Sequence, residues 1–251
     1  MSMRAPNATI QPFRHARGEG AIVFDADALR QTPVPDWFDP LHWGEAARPV
    51  GSGGRGSAWF IDAPPRAMVL RHYLRGGLMA KVSRDAFIWR GQDAVRSLAE
   101  FALLQALHAR GLPVPEALAA AYWREGRHYR AAILLGRIEH VRSFGQRVLD
   151  DAASAPWRDC GALVARFHRA GLDHADLNAH NLLFDDAGSG WMIDFDKSRL
   201  RDGDGDWRDA NLARLRRSLD KITGGRMQRE MDAGFSELQR AYDAAMDEAG
   251  T

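Results

Sequence analysis

From His174 to Lys197 the sequence reads HADLNAHNLLFDDAGSGWMIDFDK. Three of its side chains have the types and spacing of a phosphate-handling site. Asp176 follows a His-Ala pair, Asn181 lies five residues later, and Asp194 follows the second of two apolar runs. A carboxylate in the position of Asp176 accepts a proton from an attacking hydroxyl, or orients that hydroxyl. Asn181 and Asp194 supply hard oxygen ligands suited to a Mg²⁺ that bridges nucleotide phosphates. LLF and WMI read as two short strands joined by a turn, a hairpin that brings the two ligands to one place. The order matches H-x-D-L-x-x-x-N with a later D-F pair, so the chemistry it suggests is phosphoryl transfer.

Two upstream features fit the same chemistry. Gly51, Gly53 and Gly56 satisfy G-x-G-x-x-G within VGSGGRGSAWFID. Ordinary glycine-rich hairpins also satisfy this motif. A dinucleotide site needs strand, loop and helix, whereas bulky β-type residues follow here. Strand, loop, strand suits a flap whose backbone N–H groups approach phosphate oxygens. Arg71 sits mid-strand in MVLRHY, and Glu100 shares a helix face with Leu103 and Leu104. A carboxylate facing the core needs a partner. Arg71 is the candidate, and the pair could hold the α- and β-phosphates.

These residues need elements to carry them. Residues 1–20 read as polar and irregular, AIVF (21–24) as an edge strand, and DWFDPLHW (36–43) as a short helix. APPR (63–66) is a turn and AMVLRHYL (67–74) a strand. A helix is predicted over 93–110, from Asp93 as N-cap to Gly111 as stop. Residues 117–138 read as a hairpin turning at Glu125-Gly126. Helices are predicted at 157–170, 207–221 and 226–248. The order predicts an α+β fold: a flexible stretch 1–20, a β-rich lobe with one long helix over 21–138, and a mainly helical lobe over 139–251.

Composition bounds the function. The chain has 251 residues and a formal net charge of +1, so a global basic field for nucleic acid is absent. Its single cysteine, Cys160, permits no intrachain disulfide and falls on a helical face with Val164 and Phe167, which reads as core. No signal-peptide segment is seen, and no run approaches the ~18 apolar residues of a membrane span. A cytoplasmic location, peripheral at a membrane surface or free, is expected. DGDGD (202–206) superficially suggests Ca²⁺. An EF-hand loop from Asp202 would need glycine at position 207 and glutamate at position 213, where Trp207 and Ala213 stand.

Taken together, GRGSAWF (54–60), LRHYLRGGLMAKVSRDAF (70–87), SLAEFALLQALHARGLPVPEALAA (97–120), HADLNAHNLLF (174–184), DFDKSR (194–199) and NLARLRRSLDK (211–221) resemble the protein-kinase-like superfamily. More closely, they resemble the 3-deoxy-D-manno-octulosonic acid (Kdo) kinase family, relatives of the lipopolysaccharide heptose kinases. The resemblance spans roughly residues 20–225. It implies a two-lobed kinase-like fold and ATP-dependent phosphorylation of the Kdo 4-hydroxyl on a Kdo-bearing lipid A precursor. ATP and Mg²⁺ would bind between the lobes. By the same resemblance Asp176 is the catalytic residue and Asn181 and Asp194 are the metal ligands. The stretch from Gly51 through Arg55 to Gly56 covers the phosphates, Glu100 is the helix carboxylate of an ion pair, and His174 braces the catalytic loop. Arg71 replaces the usual strand lysine and presents a planar fork. Asp196 replaces the D-F-G glycine, and Asn178 stands where many serine/threonine kinases have lysine. No A-P-E motif follows, so an activation loop and peptide platform are not expected.

Two basic stretches remain. Arg75, Lys81 and Arg84 lie among aromatics that include Phe87 and Trp89. RLRRSLDK adds Arg214, Arg216, Arg217 and Lys221. Solvated helix and strand faces account for both, and so does contact with an anionic sugar, lipid A phosphate and an anionic membrane surface. No nucleic-acid module and no obligate protein partner is evident. The rival readings are a heptose or other small-molecule phosphotransferase and a nucleotide-binding pseudokinase scaffold. Retention of Asp176, Asn181 and Asp194 together speaks against the scaffold.

Overall fold

The structure is a computed structural model and describes residues 8–51, 57–74, 85–203 and 205–248. The chain forms two compact units, Met1–Ala106 with Pro115–Arg137, and Leu107–Val114 with Ile138–Thr251.

The first unit is built on an antiparallel sheet of eight strands. These are β1 (Ala8–His15), β2 (Gly18–Asp25), β3 (Ala47–Pro49), β4 (Ala58–Ala63), β5 (Arg66–His72), β6 (Phe87–Ile88), β7 (Ala117–Glu125) and β8 (His128–Gly136). They run in the order β1-β2-β7-β8-β5-β4-β3, with β6 also on β8. One face of the sheet closes over Trp37, Phe38, Ile61, Met68 and Leu70. Alternation along β5 sends Met68 and Leu70 into this core and turns Arg71 to the other face. There lies helix α2 (Arg96–Ala109), tied to the sheet by Ser97 Oγ donating to the Ala121 carbonyl at 2.9 Å. A one-turn helix α1 (Ala26–Leu29), capped by Asp25, follows β2, and Gln105 of α2 donates to Asp25 at 2.9 Å.

The N-terminal region departs from expectation. Residues 8–15 pair along their length with 18–25, so most of the stretch read as irregular is a hairpin, and AIVF lies in an interior strand between β1 and β7. The inward side of β1 is carried by Gln11, Phe13 and His15, which leave no aliphatic alternation to read. Phe13 covers Gly20, where an added Cβ would stand 2.4 Å from its ring, and Pro12 is tolerated because β1 is an edge strand. Asp93 is not the N-cap of α2. A 3-10 turn spans Gln92–Ala94, and fully buried Val95 holds an extended backbone before the helix begins at Arg96. DWFDPLHW forms two 3-10 turns, Pro35–Phe38 and Pro40–Ala46, each opening on a proline.

The second unit holds β9 (Arg142–Ser143), α3 (Phe144–Asp150), α4 (Trp157–Arg169), β10 (Leu172–Asp173), β11 (Leu182–Phe184), β12 (Gly190–Met192), β13 (Arg199–Leu200), α5 (Trp207–Thr223) and α6 (Gln228–Asp247). Helices α4 and α6 meet at two glycines. A Cβ on Gly161 would fall 2.2 Å from the Leu238 carbonyl oxygen, and one on Gly234 2.1 Å from the Trp157 ring. Cys160, Val164 and Phe167 are fully buried on the α4 face, as the spacing predicts. Helix α3 was not anticipated. Ser143 caps it, accepting from the Gln146 amide at 3.2 Å.

Candidate active site

Asp176 and Asn181 lie in the loop between β10 and β11, and Asp194 follows β12. The β11–β12 hairpin pairs Leu182 with Met192, and the Ile193 amide donates to the Asn181 carbonyl at 2.9 Å. The register thus sets Asn181 and Asp194 at the same end of one hairpin. Asn181 is 8% exposed, and its Nδ2 donates to the Asp176 carbonyl at 2.9 Å. That bond orients the amide, and among the described residues no donor takes its Oδ1. Asp194 adopts φ 63, a left-handed conformation that few residues other than glycine take but that Asp tolerates.

His174 joins the two halves of this arrangement. The Asp176 amide donates to its Nδ1 at 3.2 Å, and its Nε2 donates to the Ile193 carbonyl at 3.0 Å. One nitrogen accepts and the other donates, so the neutral Nε2–H tautomer satisfies both contacts. Burial pushes this imidazole below its usual range. The Ile193 hydrogen bond and the carboxylates of Asp194 and Asp176 oppose that shift. A neutral, fixed ring is a brace rather than a proton carrier.

Support also comes from residues that the motif does not contain. Asn211 of α5 is 1% exposed. Its Oδ1 accepts from the His174 amide at 3.1 Å, while its Nδ2 donates to Asp173 at 3.0 Å and to the Trp207 carbonyl at 2.7 Å. Ser218 Oγ accepts from the Ala179 amide at 2.9 Å, and Ser198 Oγ from the Ala175 amide at 3.0 Å. Arg214 donates to the His174 carbonyl at 3.2 Å. The Gly145 amide of α3 donates to the Ala179 carbonyl at 2.8 Å. The sequence signs of Asn211 are a polar residue on an otherwise apolar helix face and its place at the head of NLARLRRSLDK, neither of which tells its partners. Burial would raise the Asp173 carboxyl, but hydrogen bonds from Arg201 and Asn211 and the adjacent guanidiniums hold it below the usual carboxylate range.

In the first unit, Arg71 Nη2 pairs with Glu100, whose side chain is 1% exposed. Tyr73, two residues after Arg71 and just past the end of β5, donates its hydroxyl to the same carboxylate at 2.5 Å. Burial and the Glu100 charge push the Tyr73 phenol well above its usual range. The glutamate therefore has the partner its burial demands. Gly51 has φ 81 and open space where a Cβ would stand. Gly53, Arg55 and Gly56 lie outside the described residues, as do Arg75, Lys81 and Arg84. Phe87 and Trp89, expected as interfacial aromatics, are taken up in packing. The Phe87 ring lies 5.5 Å from Tyr129, and Trp89 lies 5.2 Å from Tyr122.

Among the described residues no three His, Cys, Asp or Glu side chains converge as an all-protein metal cage. One amide oxygen and one carboxylate at a hairpin end fit Mg²⁺ instead, because Mg²⁺ keeps water and phosphate oxygens in its shell. An antiparallel sheet unit with a buried ion pair to its helix, joined to a helical unit with a braced H-x-D loop, defines the protein-kinase-like class. A family model described as "Lipopolysaccharide kinase (Kdo/WaaP) family" matches residues 41–242. Similar proteins include a 3-deoxy-D-manno-octulosonic acid kinase of Stenotrophomonas maltophilia (strain R551-3), 58% identical over 95% of this chain and 96% of that one. Another is the kinase of the same name from Xanthomonas campestris pv. campestris (strain B100), 54% identical over 94% of each chain. The chain belongs to the lipopolysaccharide kinase (Kdo/WaaP) family.

Proposed function

We propose that the protein transfers the γ-phosphoryl group of ATP to the 4-hydroxyl of Kdo on a Kdo-bearing lipid A precursor. The tie between Asp176, His174 and the Ile193-Asp194 end of the hairpin carries this reading. It holds a carboxylate beside the two oxygen ligands, and among the described residues no cation forms an ion pair with that carboxylate. In this reading Asp176 takes the hydroxyl proton, or orients it, as the hydroxyl oxygen bonds to phosphorus and the bond to the ADP oxygen breaks. Asn181 and Asp194 hold Mg²⁺, which when bound neutralises charge on the phosphate oxygens. Arg71, oriented by Glu100, presents its guanidinium to the nucleotide phosphates, and the stretch Gly51, Gly53, Arg55 and Gly56 covers them. The His174 imidazole stays neutral and keeps Asp176 in place.

Names of relatives with 53–58% identity over most of the chain support the acceptor class. Among the described residues no helix is long and apolar enough to cross a membrane. An acceptor with acyl chains in the bilayer would then be met at the cytoplasmic membrane surface, with Arg75, Lys81 and Arg84 as candidate headgroup contacts. Their combined replacement by Ala should weaken salt-sensitive sedimentation with anionic vesicles. Labelled ATP tested against Kdo-lipid, heptose and protein acceptors discriminates the readings. Label in the Kdo acceptor alone is expected, and Asp176→Asn should lose about 10²–10⁴-fold in rate. Label in heptose, or near-normal turnover by folded Asp176→Asn, would overturn the assignment.

A further inference from the structure

Beside the Asp176 loop, the second unit opens a cleft of about 900 Å³. Ala175, the residue before Asp176, forms part of its wall, and Lys197, Arg199, Arg201 and Arg214 line it. The four cations are not equivalent. Arg199 and Arg201 both engage Asp173, at 3.4 and 2.7 Å. Arg214 gives Nη1 to the His174 carbonyl at 3.2 Å. Neither Arg214 nor Lys197 has a carboxylate partner among the described residues. Asp202 and Asp206 line the cleft as well, so its four cations exceed its three carboxylates by one, and the two cations that no described carboxylate engages are Lys197 and Arg214.

Both residues are tied to the Asp176 loop, Arg214 through its guanidinium and Lys197 through its backbone. Arg214 is bonded to the residue two before Asp176. Lys197 stands in a tight turn in which the Ser198 amide donates to the Phe195 carbonyl at 2.9 Å. Fully buried Phe195 anchors one side of that turn, and Ser198 Oγ holds the Ala175 amide on the other at 3.0 Å. Lys197 itself has φ 62, a strained setting for a long side chain and one that concentrates at functional positions. A volume of this size suits a sugar, whose hydroxyls the aspartates of the lining can accept from, and the cations Lys197 and Arg214 suit an acidic one.

We propose that this cleft receives the acceptor sugar and that Lys197, seconded by Arg214, binds its carboxylate. The proposal rests on the Kdo reading above, since an octulosonic acid is ionised at neutral pH. Lys197 and Arg214 then determine specificity: they select an acid sugar over a neutral one and seat its hydroxyl near Asp176. The carboxylate gains a charge-assisted hydrogen bond that a neutral sugar cannot make.

The test compares the methyl glycoside of Kdo with its carboxyl methyl ester as acceptors, for the parent, Lys197→Met and Lys197→Arg. The parent should prefer the acid by tenfold or more in kcat/KM. Lys197→Met should lose that preference chiefly through the acid's KM, and Lys197→Arg should restore part of it. A parent that uses acid and ester equally, or a Lys197→Met protein that keeps the full preference, overturns the cleft assignment while leaving the kinase reading intact. A parent that phosphorylates no Kdo acceptor overturns both.

Discussion

Asn211 is the most informative residue to perturb, because it holds the Asp176 loop without touching any reacting atom. Asn211→Ala removes the acceptor of the buried His174 amide, a desolvation cost of about 1–3 kcal/mol. It also removes a hydrogen bond to the Asp173 carboxylate, worth about 1.5–3 kcal/mol and partly replaced by Arg199 and Arg201. A net loss of about 3 kcal/mol follows. In a chain of this size each kcal/mol moves the midpoint by roughly 2–4 °C, so Tm should fall by about 6–12 °C. Asn211→Asp separates hydrogen bonding from size. It keeps an oxygen for the His174 amide but sets a second carboxylate where Nδ2 now donates to Asp173 at 3.0 Å. It should be no more stable than the alanine variant, although its volume is nearly unchanged. Thermal unfolding by circular dichroism gives the stabilities. Turnover at a temperature where all three proteins are folded should fall by about tenfold or more in both variants, the equivalent of 1.4 kcal/mol at the transition state. Parental Tm and turnover in Asn211→Asp would refute the reasoning.

Arg71→Ala and Glu100→Ala should each destabilise, and the double variant should lose less than their sum by about 0.5–3 kcal/mol, read by a denaturant double-mutant cycle; additivity would separate the two residues. His168 is buried, and its imidazole is lowered to about 3 by burial first and by the Arg208 charge. Its stabilising neutrality is therefore complete above about pH 6.5 and is lost as pH falls from there toward about 3, because the unfolded chain takes a proton that the folded one refuses. His168→Gln should flatten the stability–pH profile by up to about 1.4 kcal/mol per pH unit across that window, and an unchanged slope would remove His168 from the account. Gly161→Ala, whose Cβ would meet the Leu238 carbonyl at 2.2 Å, should cost about 3 kcal/mol in urea unfolding, against near neutrality for a solvent-facing substitution.

The parts of this protein that could be read in advance are those where one residue type dictates a local event. Glycines 111, 126 and 171, all with positive φ, end or turn their elements where the sequence places those ends. The β11–β12 hairpin follows from two apolar runs around a polar turn, and the Arg71–Glu100 contact from a charge on a face that had to be buried. The parts that could not be read depend on partners distant in sequence. The β1 strand is recognisable only once Phe13 has Gly20 and Trp123 to cover. Asn211 and Ser218 resemble ordinary polar positions on α5 until the His174 and Ala179 amides are seen beside them. The start of α2 slid to Arg96 because burial of Val95 prevailed over a good capping residue at Asp93.

The suspension of the Asp176 loop from α5 also bears on when the site comes into being. During synthesis His174 to Asn181 emerges well ahead of Asn211, Arg214 and Ser218, yet three of its backbone groups bond to those later residues across separations of 37 to 40 positions. A nascent chain halted before α5 carries Asp176, Asn181 and Asp194 with the Ser198 and Gly145 contacts of their loop, but it leaves the amides of His174 and Ala179 without their α5 partners. The same dependence persists in the mature protein. Any excursion that lifts α5 away frees the amides of His174 and Ala179 together, and their hydrogen exchange should share one rate with the α5 amides around Leu215.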